Sequence, residues 1–292
     1  MVETRATEKN QVTRDNRGLS RRDFLRCATI VSGGAAISGV LLGARAGSVD
    51  AAGTLAKLKA SRYALLASYN EPPHDWFDSA DGKWKGIDND IVVHFLQSLG
   101  VKSWDFIVAD WSALIPGLQA HRWDLMSVGM SITEKRKQLV SFSEPIYQYG
   151  DVIIVKKGNP ENIKGKSDYK GKKIGGILGA TSIDEIQAVP GATAVPYKTH
   201  GDMVNDVAAG RIDAAQAGET TASYAAKVQP DPRVELLHNY GGYSPRPSGM
   251  VFRKEDVDLK AAADTELRKM KTDGTLVGIL EKYGLSASNV IK

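Results

Sequence analysis

The sequence predicts an α/β protein. From residue 63 onward, short apolar runs with strand character alternate with amphipathic segments of helical period, and Gly or Pro clusters separate them. Two runs, 63–68 (YALLAS) and 151–155 (DVIIV), are apolar on successive positions, as strands covered on both faces are.

The elements follow in order. Residues 63–68 read as a first buried strand. The Asn70-Glu71-Pro72-Pro73 run is a loop, because paired prolines deny both helix and ladder. Asp81-Gly82 is a turn signal. Residues 87–99 form an amphipathic helix, with Ile91, Phe95 and Leu99 four apart and Gly100 as its stop. A strand at 104–108, a helix at 111–121 and a strand at 125–128 come next. The Ser131-Ile132-Thr133-Glu134-Lys135-Arg136 run opens another helix and sets Arg136 in its first turn. The apolar 151–155 strand leads into Lys156-Lys157-Gly158-Asn159-Pro160, and a second α/β series begins. Its strands are expected at 171–178, 192–196 and 212–215, and its helices at 182–188, 201–210 and 220–227. Residues 250–252 read as a returning strand, and 261–283 hold two helices broken at Asp273-Gly274.

The N-terminus carries Ser20-Arg21-Arg22-Asp23-Phe24-Leu25, then an apolar, Gly-rich stretch over 28–44, then Ala44-Arg45-Ala46. This order is that of a twin-arginine (Tat) signal peptide over residues 1–46, with Val49-Asp50-Ala51 as a second cleavage candidate. The stretch has 17 residues, short of the ~20 a membrane span needs. Cys27, the single cysteine, precedes the apolar stretch, whereas a lipid-anchored cysteine would follow it. Cleavage would leave a chain without cysteine, able to fold in a reducing cytoplasm before export to the periplasm.

The formal charge of +4 belongs to this leader. Residues 1–46 hold eight of the 38 Lys/Arg and four of the 34 Asp/Glu, which leaves 30 of each. That balance argues against nucleic acid or an anionic membrane surface as a partner. There is no Cys/His metal spacing, Gly-rich phosphate loop or G-x-S-x-G elbow, so no metal or cofactor is expected.

Several spaced motifs carry a family resemblance across about 63–284: Gly86-Ile-Asp-Asn-Asp90, Ile115-Pro-Gly-Leu118, the 131–136 run, Phe142-Ser-Glu-Pro145, Gly171-Lys-Lys173, Ala209-Gly-Arg-Ile-Asp213 and Lys271-Thr-Asp-Gly274. The chain resembles the type II periplasmic solute-binding proteins of ABC importers, polar amino-acid family (family 3). The resemblance implies two α/β lobes, the second inserted in the first, with a ligand cleft at the hinge. Lobe 1 would span 53–150 and 248–292, and lobe 2 would span 155–243. It implies a monomer that captures a small solute and delivers it to an inner-membrane permease and its ATPase.

The resemblance also assigns roles. Arg136 matches the arginine that clamps a ligand carboxylate, a task suited to a planar forked donor; otherwise it is a surface arginine between Lys135 and Lys137. Ser131, after Gly129 in the same segment, adds to that carboxylate, and Thr181 meets it from the other lobe; either could instead be a helix N-cap. Trp111 stands where the family often puts an aromatic wall. His74 and Trp76 are further candidates, with half-buried lobe contacts as the plain alternative.

One position departs from the pattern. Where amino-acid binders usually carry an aspartate for the ligand's ammonium, this chain has Gly218. Glu219 could replace it, or could simply be an acid favoured at a helix N-terminus. Glu71 is another replacement. Its Asn-Glu-Pro-Pro context resembles the ectoine/hydroxyectoine-binding branch, in which this glutamate pairs with a cationic ring. His74 and Ser131 stand where that branch has aromatics. The expected ligand is a small zwitterion or cationic amino-acid derivative bearing a carboxylate. The alternative is a cyclohexadienyl-dehydratase-like enzyme on the same scaffold, but no catalytic constellation is evident.

Overall fold

A computed structural model describes residues 53–242 and 244–291. The segment expected to be the export signal, and Cys27 with it, lies outside these residues.

The described residues begin with helix α1 (Thr54–Ser61), strand β1 (Tyr63–Ser68) and a hairpin of β2 (Trp76–Asp78) and β3 (Lys83–Lys85). Helix α2 (Ile87–Ser98) follows Gly86, whose φ is +132° and where a Cβ would lie 2.2 Å from the His74 carbonyl oxygen. Only glycine fits there. Asp88 and Asp90 stand in the first turn of α2, where the helix dipole favours them. Strand β4 (Ser103–Val108) comes next. The helix expected over 111–121 is divided into a 3₁₀ turn, Trp111–Ala113, and α3 (Leu114–Gln119), with Pro116 tolerated in its first turn. Strands β5 (Leu125–Met126) and β6 (Met130–Ser131), helix α4 (Glu134–Lys137) and strands β7 (Ser141–Phe142) and β8 (Gln148–Tyr149) follow.

The second series starts at β9 (Asp151–Lys156) and runs through β10 (Lys173–Ile177), α5 (Thr181–Gln187), β11 (Thr193–Tyr197), α6 (His200–Ala209), β12 (Ala214–Gly218), α7 (Glu219–Val228) and β13 (Val234–Leu237). The chain returns through β14 (Arg246–Gly249) and β15 (Val251–Phe252) to α8 (Val257–Thr272) and α9 (Thr275–Lys282).

Two main sheets result. The first is parallel, in the order β4-β1-β5; the second is β11-β10-β12-β9-β13, with β9 antiparallel to both of its neighbours. Successive side chains of a strand face opposite sides, and the cores follow that rule. Ala64 and Leu66 of β1 enter one cluster, and Ala67 the other. Val152 and Ile154 of β9 pack on one face of the second sheet, Ile153 and Val155 on the other.

Helices α8 and α9 do not pack on the sheet that precedes them. Leu259, Leu267, Met270, Leu276 and Leu280 join Leu66, Ile91 and Phe95 in the core of the first lobe. The second lobe is therefore an insertion. The chain passes outward at β8–β9 and back at β14, and the two passages are bonded to each other, with Arg246 opposite Tyr149. Strand β9 enters the second sheet from its first residue, Asp151, so 151–154 lie within that sheet.

Candidate functional site

A cavity lies between the two sheets. The space open to the centre of a water molecule is about 80 Å³. Seven of the residues singled out in the sequence line it: Glu71, His74, Trp111, Gly129, Ser131, Arg136 and Thr181.

Arg136 is 7% exposed, so the surface alternative does not hold. Thr133 caps the short helix α4 by accepting from the Arg136 backbone N–H at 3.3 Å. The guanidinium donates to the Ser131 carbonyl at 2.9 Å and, from the opposite lobe, to the Gly179 carbonyl at 3.3 Å. It stands 5.8 Å from the Trp111 ring centre. Among the described residues, no carboxylate lies within ion-pair distance of it. Burial lowers its pKa, and nearby Arg246 adds to that effect while Tyr149 opposes it. The site thus holds a desolvated cation with an unmet demand for an anion.

The alternative N-cap role is filled by neither Ser131 nor Thr181. Thr133, not Ser131, caps α4, and Ala180 precedes α5, of which Thr181 is the first residue.

His74 is 8% exposed, and both ring nitrogens are engaged. Nδ1 lies 2.8 Å from Asp88 Oδ2 and 3.0 Å from the Tyr147 hydroxyl; Nε2 lies 2.7 Å from Thr220 Oγ1 on α7. Gly129 packs directly on this ring, for a Cβ there would come within 2.5 Å of Nδ1. Glu71 faces His200 Nδ1 across the cleft at 3.2 Å.

Trp76 and Glu219 do not line the cavity. Trp76 sits on the β2–β3 hairpin and packs against Tyr224 and Tyr283, with ring centres 5.9 and 5.8 Å away. Glu219 starts α7, where its carboxylate meets His238 Nδ1 at 3.1 Å. Both lie close to site motifs in sequence, but the hairpin and the helix carry them off the cleft.

Sequence reasoning missed several lining residues: Tyr69, Asp75, Tyr149, Asp151, His200, Gln216 and Arg246. Tyr69 meets Trp111 edge-on at 5.5 Å and donates to the Lys198 carbonyl of the other lobe. Burial pushes the Asp75 carboxyl well above the usual carboxylate range; Ser68 opposes this, and Asp88 adds to it. Arg246 bridges Asp151 at 2.7 Å and Glu185 at 2.6 Å. Tyr149, Asp151, Gln216 and Arg246 come from β8, β9, β12 and β14, which meet only through long-range pairing, and the linear sequence carries no local signal of that register.

Lys198–Asp110 and Lys135–Asp184 ion pairs also join the two cleft walls, at 3.0 and 2.8 Å. Among the described residues, no group of three or more His, Cys, Asp or Glu side chains is placed to hold a metal. No described helix is long and apolar enough to cross a membrane.

Two α/β lobes, a double chain passage and an interlobe cavity with one desolvated arginine define a solute-binding protein of the type II periplasmic fold. The chain belongs to the bacterial extracellular solute-binding proteins, family 3, which it matches over residues 64–286. It is 32% identical to a probable amino-acid ABC transporter periplasmic-binding protein of Sinorhizobium fredii, over 89% of this chain and 88% of that one. Among solved structures it is similar to EhuB in complex with hydroxyectoine, with a TM-score of 0.74 and 31% identity, covering 81% of this chain and 94% of the other. It is also similar to an ancestral amino-acid-binding protein described as a precursor of cyclohexadienyl dehydratase. That TM-score is 0.70, with 30% identity over 79% of this chain and 99% of the other.

Proposed function

We propose that this protein is the extracytoplasmic receptor of an ABC importer for an amino acid or amino-acid derivative bearing a carboxylate. The observation that carries this reading is Arg136, buried, its guanidinium bonded among the described residues to carbonyl oxygens alone and backed by Trp111. An incoming carboxylate would supply the missing charge bidentately. Ser131 and Thr181 flank it from the two lobes, and Gly129 keeps the wall close. Because both lobes contribute, the ligand favours the closed form.

Trp111, Glu71 and His74 would line the rest of the ligand. The similarity to a hydroxyectoine complex and to an amino-acid receptor supports a zwitterion, either a free amino acid or a cyclic derivative such as an ectoine. We take 53–150 and 248–292 as lobe 1 and, because β9 pairs in the second sheet from Asp151 onward, 151–243 as lobe 2, with the paired passages at Tyr149 and Arg246 as the hinge. Export through the Tat machinery, cleavage after Ala46 or Ala51, and action as a monomer in the periplasm with a permease and its ATPase complete the reading. The dehydratase alternative has weaker support, because the similar structure related to that enzyme is itself described as a binding protein.

A thermal-shift screen tests the proposal. The residues from 52 onward would be mixed with amino acids, betaines, ectoines, polyamines and small carboxylates, since a ligand of the native state raises Tm. Zwitterions should stabilise the protein and be recovered unchanged. Conversion of prephenate or arogenate, or silence across the panel, would overturn it.

A further inference from the structure

The receptor reading leaves open which acid takes the ligand's cationic group, and the inference here rests on that reading. Three carboxylates line the cavity: Glu71, Asp75 and Asp151. Glu71 faces His200 across the cleft. Asp75 is 1% exposed, with no basic side chain within ion-pair distance among the described residues, so burial opposes its charge. Asp151 is different. It is 4% exposed, on the second sheet, and it is held in place by two partners. Gln216 Nε2 donates to Oδ2 at 2.8 Å, and Arg246 pairs with the same oxygen at 2.7 Å. Among the described residues, no hydrogen bond falls on Oδ1.

The ladder adds a second observation. Asp151 and Gly218 are direct partners in the antiparallel β9–β12 pairing. Residues directly opposite in such a pair project from the same face of the sheet. Both line the cavity. The carboxylate of Asp151 therefore occupies the side of the sheet that a side chain at 218 would occupy, beside a position that offers none. Arg246 does not exhaust it, because the guanidinium also holds Glu185 at 2.6 Å.

We infer that Asp151, through its open Oδ1, is the specificity residue that receives the ligand's ammonium or cationic ring nitrogen, with Gln216 and Arg246 as its positioning residues. A ligand spanning from Arg136 to Asp151 touches both lobes, so its charge separation sets which zwitterions can close the cleft.

The test uses calorimetric titration of the wild type and Asp151→Asn with the twenty standard L-amino acids, ectoine and the 2-hydroxy acid counterparts of the amino acids. The substitution keeps the shape and the Arg246–Glu185 pair. The expected result is at least a tenfold loss for the ammonium ligands that bind the wild type, with less than a twofold change for their 2-hydroxy acids. A second variant, Asp151→Asn with Gly218→Asp, should restore most of the loss. Gly218 has φ −56°, and a Cβ there would meet only the Tyr149 ring edge at 3.7 Å. Equal losses for both ligand classes, or no loss, would overturn the assignment while leaving the receptor reading intact. If the wild type binds no member of the panel, the receptor reading fails and takes this inference with it.

Discussion

His74 and Thr220 meet across the cleft, with Nε2 2.7 Å from Oγ1. The histidine belongs to the Pro-Pro loop of the first lobe, the threonine to α7 of the second. On its other side the ring is fixed by Asp88, which the Tyr147 hydroxyl also contacts at 2.9 Å. A chain of buried polar groups thus runs from the interior of one lobe to a helix of the other.

Thr220→Val should weaken closure without disturbing either core. One hydrogen bond contributes about 1 kcal/mol net, so ligand affinity should fall roughly fivefold. Titration calorimetry measures the loss, and scattering of the ligand-free protein should report a more extended average shape. Unchanged affinity and shape would mean that the bond plays no part in closure.

Arg136→Ala should cost about 2–5 kcal/mol of binding energy, because the ligand carboxylate would then be buried without its counter-charge. Arg136→Lys should recover only part of this, since an ammonium lacks the forked geometry. Binding like that of the wild type in either variant would remove Arg136 from the site.

Asp75 bears on pH. Its carboxyl is raised well above the ordinary range by burial. A group whose folded pKa is raised binds more protons in the folded state, so its favourable contribution is complete below the unfolded pKa. It fades as pH rises through the folded value. Asp75→Asn should therefore leave Tm nearly unchanged in acid and raise it increasingly toward neutral and alkaline pH. Parallel Tm–pH curves for the two proteins would contradict this.

Arg253 fixes the returning chain. It is 2% exposed, pairs with Asp256 at 3.0 Å, and donates to the carbonyls of Leu118 and Trp123 and to Thr54 Oγ1. Arg253→Ala leaves the Asp256 carboxylate buried without its counter-charge. The expected loss is about 3–5 kcal/mol in urea unfolding. A loss under 1 kcal/mol would show that the pair contributes nothing net.

Much of the fold was legible because its signals are local. Alternation, Gly100 as a helix stop and the break at Asp273-Gly274 reappear as elements with nearly the expected bounds. Helix α1 and the β2–β3 hairpin were missed because their periodicity is weak. At the site, legibility followed the motifs. Arg136, Ser131, Gly129 and Trp111 lie on one continuous stretch and reach the cavity together. Asp151 and Arg246 gave no such signal, because their place depends on which residue lies opposite them in a ladder. Trp76 and Glu219 show the converse: nearness along the chain did not bring them to the cleft.

The insertion also has a consequence in time. The first lobe's core is completed by Leu259, Leu267, Leu276 and Leu280, residues that leave the ribosome only after the whole inserted lobe. The inserted lobe can organise from a continuous stretch of chain while synthesis is still under way. The earlier-made half must wait, with Leu66 and Phe95 uncovered, until α8 and α9 emerge. Maturation is thus ordered inside out, and removing α8 and α9 would injure a lobe whose other half was made long before them.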